Sequence, residues 1–256
     1  MSKMMLSNRV LLSYILLLSI WACQTKRAEE KKETDSVGIK KDSTVIVKQP
    51  EIPEVEQRMI EQGLVDIQTL DSTIMVELKY STTDNFVKTD VYGDLIRAYL
   101  QPKPAEMLVK ASKALQEKYP NYRLLVYDAA RPLTVQHTLW NLLDTIPPKK
   151  REDFVANPTI ASIHNFGSAV DLTVYDLISK KPLDMGTKYD FFGDLAYPRL
   201  EYKMLREGKL TKEQIANRVI LRDAMKKSGY MRIESEWWHF NAISRARAKS
   251  LYKIVE

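Results

Sequence analysis

The sequence predicts an α+β fold: a single compact domain with a central, mostly antiparallel sheet flanked by helices. Three observations lead there. Short apolar runs with strand character are interleaved with amphipathic runs of helical period. The last two strand-like runs, 230–233 and 237–240, lie close enough for a hairpin. A chain of 256 residues with 45% hydrophobic content suits one core-forming domain plus attachments, and no internal repeat divides it.

The attachments come first. Lys3 and Arg9 precede an apolar run at 10–21 that ends in Ala22 and Cys23, the only cysteine. A basic start, a short apolar centre and a small residue before the cut describe a secretory signal. The run falls short of the roughly 20 apolar residues that span a bilayer. Ile20-Trp21-Ala22-Cys23 resembles the bacterial lipoprotein signal, in which the cysteine is acylated and becomes the new N-terminus. Residues 1–22 are thus expected to be a signal peptide, with Cys23 the lipid anchor. Residues 24–56, rich in Lys, Glu, Asp, Ser and Thr, are expected to be a flexible tether. The folded domain is expected over 57–256.

Within the domain, residues 74–80 alternate apolar and polar side chains like a half-buried strand. Residues 105–119 place Met107, Leu108, Ala111, Ala114 and Leu115 on one helical side, with Pro120 as the stop. Residues 122–127 read as a buried strand, 133–143 as a helix after Pro132, and 168–175 as another strand. Residues 211–228 form a helix that opens with a Thr211/Gln214 capping box and closes at Gly229. The Lys149-Lys150-Arg151 run after Pro147-Pro148 is expected to be a solvated loop.

Lys and Arg number 39 and Asp and Glu 33, so the formal charge is +6. No element concentrates the basic residues, which argues against a nucleic-acid partner. The mild positive balance suits work near an anionic envelope.

Two of the three histidines sit in distinctive settings. His164 is followed by Gly167 and then by Asp171, a carboxylate among Ala169, Val170, Leu172 and Val174. An ionised group in such a run needs a partner, and a metal ion provides one. His239 follows Glu236 in Glu234-Ser-Glu236-Trp-Trp-His239. Two histidines and one aspartate make a three-ligand zinc site, placed at the sheet, whose fourth position stays open for water. Glu236 stands three residues before His239, which puts the two on opposite faces of an ideal strand. Both reach one cavity only if Glu236 lies in a turn or bulge. His137 falls among Val135, Leu139 and Trp140 and reads as structural. Trp237 and Trp238 read as pocket wall and core.

Ser162-x-His164-x-x-Gly167-x-Ala169-x-Asp171 followed by Glu236-x-x-His239 resembles the signature of the D-alanyl-D-alanine dipeptidases, a VanX-like group of zinc peptidases. Lys79 to Phe86, Tyr127-Asp128-Ala-Ala-Arg131-Pro132 and Met185-Gly186-Thr-Lys-Tyr-Asp190-Phe are similar to further blocks of that group, in the same order. The resemblance implies one Zn²⁺ per chain on His164, Asp171 and His239, with Glu236 as general base and acid. It implies that Arg131 stabilises the oxyanion and that Asp128 orients Arg131. Asp190 would hold the substrate ammonium, and Tyr80 and Ser162 would line the pocket. Asn165-Phe166 departs from the arginine of well-known members, and the sequence places that side chain at the flank of the site.

Three functional readings follow. The first is hydrolysis of D-Ala-D-Ala or related short D-amino-acid dipeptides, on the periplasmic side of the envelope. The second is a D,D- or L,D-carboxypeptidase acting on larger muropeptides. Asp190 separates them, because an anion gripping a free amine beside the scissile bond selects dipeptides. The third is a non-catalytic, zinc-stabilised binding module, against which Glu236 argues.

Overall fold

The computed structural model describes residues 51–256. Cys23, its acylation and most of the expected tether lie outside the described residues. The first helix, α1 (Glu54–Glu61), starts three residues before the expected domain boundary. The reason is Glu56, whose side chain is fully buried. Its carboxylate accepts hydrogen bonds from the backbone amides of Ile96 and Arg97 at 3.0 and 3.1 Å and from Tyr99 Oη at 3.1 Å, and it pairs with the Arg97 guanidinium. A polar residue of this kind anchors the segment to the domain instead of leaving it in the tether.

After α1 come β1 (Val65–Asp66), α2 (Ile67–Leu70) and β2 (Met75–Val76). The strand expected over 74–80 is cut to β2, and a 3₁₀ turn takes over at Lys79–Ser81. Lys79 and Tyr80 are both buried, which breaks the alternation. Lys79 Nζ is held by Glu77 and Asp84 at 2.6 and 2.8 Å, and Tyr80 enters the core beside the site.

β3 (Tyr99–Leu100) leads into α3 (Pro102–Lys118), which starts with proline in its first turn, where the missing N–H costs nothing. β4 (Tyr122–Asp128), α4 (Leu133–Asn141), a short α5 (Pro148–Arg151) and β5 (Ala169–Asp176) follow. The basic run at 149–151 is therefore helical, with Arg151 bonded to the carbonyls of Trp140, Asp144 and Ile146. The remaining elements are β6 (Lys181–Pro182), α6 (Glu201–Arg206), α7 (Lys212–Lys227), β7 (Met231–Arg232), β8 (His239–Asn241) and α8 (Arg245–Leu251). The capping box of α7 forms as expected, with Thr211 Oγ1 accepting from the Gln214 amide.

The main sheet has the order β2-β4-β5-β8-β7, with β6 paired to the far end of β5. Only β2–β4 is parallel; every other pairing in it is antiparallel. Leu124 and Val126 of β4 and Val170, Leu172 and Val174 of β5 join Leu108, Ala111 and Leu115 of α3 and Leu221, Ala224 and Met225 of α7 in one core. With side chains alternating along the strand, that core face leaves Asp171 and Thr173 on the opposite face. α3 and α7 cover the core face of the sheet, and the opposite face carries the chemistry.

Candidate metal centre and active-site cleft

Strand register assembles the centre. Asp171 of β5 lies opposite His239 of β8 on one side and opposite Asp128 of β4 on the other. The β4–β5 register shifts between Val126 and Asp128, so Tyr127 is the extra residue of a bulge. Without that bulge Asp128 would not face Asp171. His164 comes from a 3₁₀ turn at His164–Phe166, which ends at Gly167 with φ +60°. A Cβ at Gly167 would also meet the Gln101 amide nitrogen at 3.2 Å, so the glycine serves both the turn and the close approach.

The donor atoms of His164, Asp171 and His239 converge. His164 Nε2 lies 3.2 Å from His239 Nδ1 and 3.4 Å from Asp171 Oδ1, and the last two are 2.9 Å apart. Their partners set the tautomers. His164 Nδ1–H donates to the Ala129 carbonyl at 2.7 Å, and His239 Nε2–H donates to Asn241 Oδ1 at 2.8 Å. Each ring therefore turns a lone pair inward, toward a carboxylate oxygen. Three converging acceptors repel unless a cation sits among them. Bonds of about 2.0–2.1 Å at tetrahedral angles put ligand atoms about 3.3 Å apart, so the triangle fits a zinc-sized ion. Tyr189 Oη adds an outer hydrogen bond to Asp171 Oδ2 at 3.1 Å.

Charges in the cleft are tuned by the same contacts. Burial disfavours the Asp171 carboxylate, but His164 and His239 outweigh it and hold its pKa far below the usual range. Burial likewise opposes the His239 imidazolium, yet the hydrogen bond and charge of Asp171 push its pKa up to about 9 in the metal-free protein. Glu236 sits in the β7–β8 connection, not in β8, which resolves the spacing problem. Its Oε2 lies 3.8 Å from His239 Nδ1. Enclosure raises the Glu236 pKa, with His239 opposing and Asp171 reinforcing.

Arg131 is buried, and its Nη atoms are taken by Asp128 and by Gln136 Oε1 at 2.9 Å. Its Nε has no partner among the described residues. Burial works against the guanidinium, but Asp128 and nearby tyrosine hydroxyls more than offset it and hold it charged. Asp128 is fixed in turn by Tyr92 Oη and the Ala129 amide. Asp190 has φ +56°, a strained value for a side-chain-bearing residue, and accepts a hydrogen bond from Tyr80 Oη at 2.8 Å. Burial first, then Asp171, drives the Asp190 pKa well above the carboxylate range.

All nine expected site residues of the domain except Asp128 line one cleft of about 340 Å³, and Asp128 stands directly behind Arg131. That volume is at the small end for ligand sites. One expectation fails: Asn165 and Phe166 do not flank the cleft. Asn165 is fully buried and ties the Ser162 amide to the Arg131 carbonyl, and Phe166 packs with Ala161 and Ala248 in a separate small core. His137 is exposed on α4 rather than packed. Trp237 and Trp238 are buried; Trp237 Nε1 anchors Thr187, and Trp238 lies edge-on to Tyr189. The sequence reading missed Tyr92, Gln136, Tyr189 and Asn241. Asn241 alone carried a signal, being two residues from His239 on the same strand face.

A family model for D-ala-D-ala dipeptidases matches residues 60–255. The chain belongs to that family. Among curated D-ala-D-ala dipeptidases it is 29% identical to that of Escherichia coli K12 over 180 residues, covering 69% of this chain and 83% of the relative. It is 28% identical to that of Enterococcus faecium over 194 residues, covering 71% and 92%. Among solved structures, the LdcB LD-carboxypeptidase aligns with a TM-score of 0.38 at 19% identity, covering 60% of this chain and 63% of that one. VanYB in complex with D-alanine-D-alanine aligns at 0.35 and 14%, covering 60% and 77%. As a member of the D-ala-D-ala dipeptidase family the protein is a metallopeptidase, and His164, Asp171 and His239 are the one group among its described residues able to hold the metal.

Proposed function

We propose that the protein hydrolyses D-Ala-D-Ala or closely related short D-amino-acid dipeptides with one Zn²⁺ held by His164, Asp171 and His239. The observation that carries this is the convergence of those three donor atoms beside Glu236, in a cleft that Arg131 and Asp190 also line. Bound zinc supplies Lewis acidity, acidifying a water and polarising the scissile carbonyl. Glu236 accepts the proton of the attacking water and returns it to the leaving amine; its raised pKa brings it nearer the working pH. The Arg131 guanidinium, held in place by Asp128 and Gln136 and lining the same cleft, stabilises the oxygen on which negative charge develops. Asp190, steadied by Tyr80, binds the substrate ammonium and excludes a blocked N-terminus.

The enclosure of Asp190 near Asp171 supports a second reading. It favours the neutral carboxyl, which donates to a neutral carbonyl, as a carboxypeptidase acting on longer wall peptides requires. Incubating purified protein and zinc with D,D-, L,D- and L,L-dipeptides and muropeptides separates the two. Release of D-alanine from free D-Ala-D-Ala, with muropeptides spared, supports the dipeptidase; the reverse pattern supports the carboxypeptidase. The signal-like start further supports placing the enzyme on the periplasmic side of the envelope, lipid-anchored through Cys23. Fatty-acid label retained by a Cys23→Ser variant would exclude that anchor.

A further inference from the structure

The cleft contains a cation that none of these roles uses. Two arginines line it, Arg131 and Arg245, and no lysine does. Arg131 is neutralised by Asp128 and tied to Gln136. Arg245 is exposed at the start of α8, and no ion pair or side-chain hydrogen bond among the described residues engages it. Glu152 and Asp153 share the cleft's rim, but neither pairs with it.

The acidic groups of the cleft interior are Asp171, Glu236 and Asp190, and none of them pairs with Arg245. The metal ligand His239, its hydrogen-bond partner Asn241 and Arg245 line the same cleft as Asn157 and Ser162. Ser162 Oγ accepts from the His164 amide at 3.3 Å and donates its own hydrogen to no described residue. The cleft thus offers one unpaired guanidinium and one free hydroxyl donor. A short peptide with free ends is a zwitterion. With its ammonium at Asp190 and its carbonyl at Arg131, its carboxylate calls for a second cation, and the unpaired Arg245 guanidinium of the same cleft matches it as a fork.

We propose that Arg245 is a specificity-determining residue that binds the substrate's C-terminal carboxylate, with Ser162 Oγ–H as a neutral co-donor; the assignment rests on the peptidase reading above. The carboxylate's charge does not change as the peptide bond breaks. Its contact is therefore equal in ground state and transition state and acts on KM, not on kcat.

The test compares D-Ala-D-Ala with its C-terminal amide on zinc-loaded protein. Wild type should prefer the acid by about tenfold or more in kcat/KM, the size of a charge-assisted hydrogen bond. Arg245→Ala should raise KM for the acid about tenfold, hold kcat, and leave the amide unaffected. Arg245→Lys should recover part of the preference, and Arg247→Ala, on the same helix but outside the cleft, should match wild type. An acid-to-amide preference that is unchanged in Arg245→Ala overturns the assignment while leaving the peptidase reading intact. Wild type inactive on both peptides overturns the peptidase reading and the assignment with it.

Discussion

Blocking the substrate's amine reads Asp190 directly. The Asp190 carboxylate is partly buried beside Asp171 and Glu236, and its hydrogen-bond partner is the neutral Tyr80 hydroxyl. A bound ammonium supplies the missing positive charge. N-acetylation removes that charge, and truncating one side of a buried charged pair costs about 2–5 kcal/mol. The lower bound corresponds to about 30-fold in kcat/KM. The pH trend carries a sign. Ionised Asp190 favours the ammonium, so lowering the pH until Asp190 takes up a proton weakens the free dipeptide. The same protonation turns Asp190 into a donor and improves the acetylated peptide. The ratio of kcat/KM for D-Ala-D-Ala over N-acetyl-D-Ala-D-Ala should therefore fall as the pH falls, and Asp190→Asn should bring it toward one. Steady-state kinetics as a function of pH on the zinc-loaded enzyme measure it. A ratio near one at every pH would refute the amine-binding role and promote the carboxypeptidase.

Other consequences follow from the same geometry. Glu236→Gln should keep its zinc and lose about 10²–10⁴-fold in kcat; zinc lost in step with activity would make Glu236 a structural support. In metal-stripped protein, the His239 pKa of about 9 against about 6.5 unfolded stabilises the fold by about 3 kcal/mol below pH 6.5, and this is lost as the pH rises through 9. Urea titrations at both ends of that range should show the loss in wild type and not in His239→Ala. Tyr189→Phe removes the hydrogen bond to Asp171 Oδ2 and should weaken zinc binding about tenfold by competition with a chromophoric chelator; unchanged affinity would show that Asp171 needs no such support.

The features that were legible in the sequence are those written in local patterns. The apolar setting of Asp171 marks it as a partnered carboxylate on a strand, and Thr211 and Gln214 mark the start of α7 by hydrogen bonds made within one turn. The features that were not legible depend on contacts between distant residues. Glu56 sits in a polar stretch that composition assigns to the tether, and only its bonds to the 96–99 segment draw it inward. The alternation at 74–80 gives a valid strand signal, but Lys79 finds Glu77 and Asp84 and turns inward as the chain leaves the sheet. Phe166 lies next to a metal ligand in sequence yet points into another core, because the 3₁₀ turn at 164–166 sends consecutive side chains in different directions. Tyr92, Gln136 and Tyr189 are neutral residues whose value comes from the charged groups they meet in three dimensions.

The central claim is that His164, Asp171 and His239 hold one catalytic zinc. Metal content and D-Ala-D-Ala hydrolysis measured on the same preparations test it most directly. The account predicts one zinc per chain, activity abolished by exhaustive chelation and restored by Zn²⁺, and both zinc and turnover lost in His239→Ala. Full turnover after exhaustive chelation, or in metal-free His239→Ala, would contradict it.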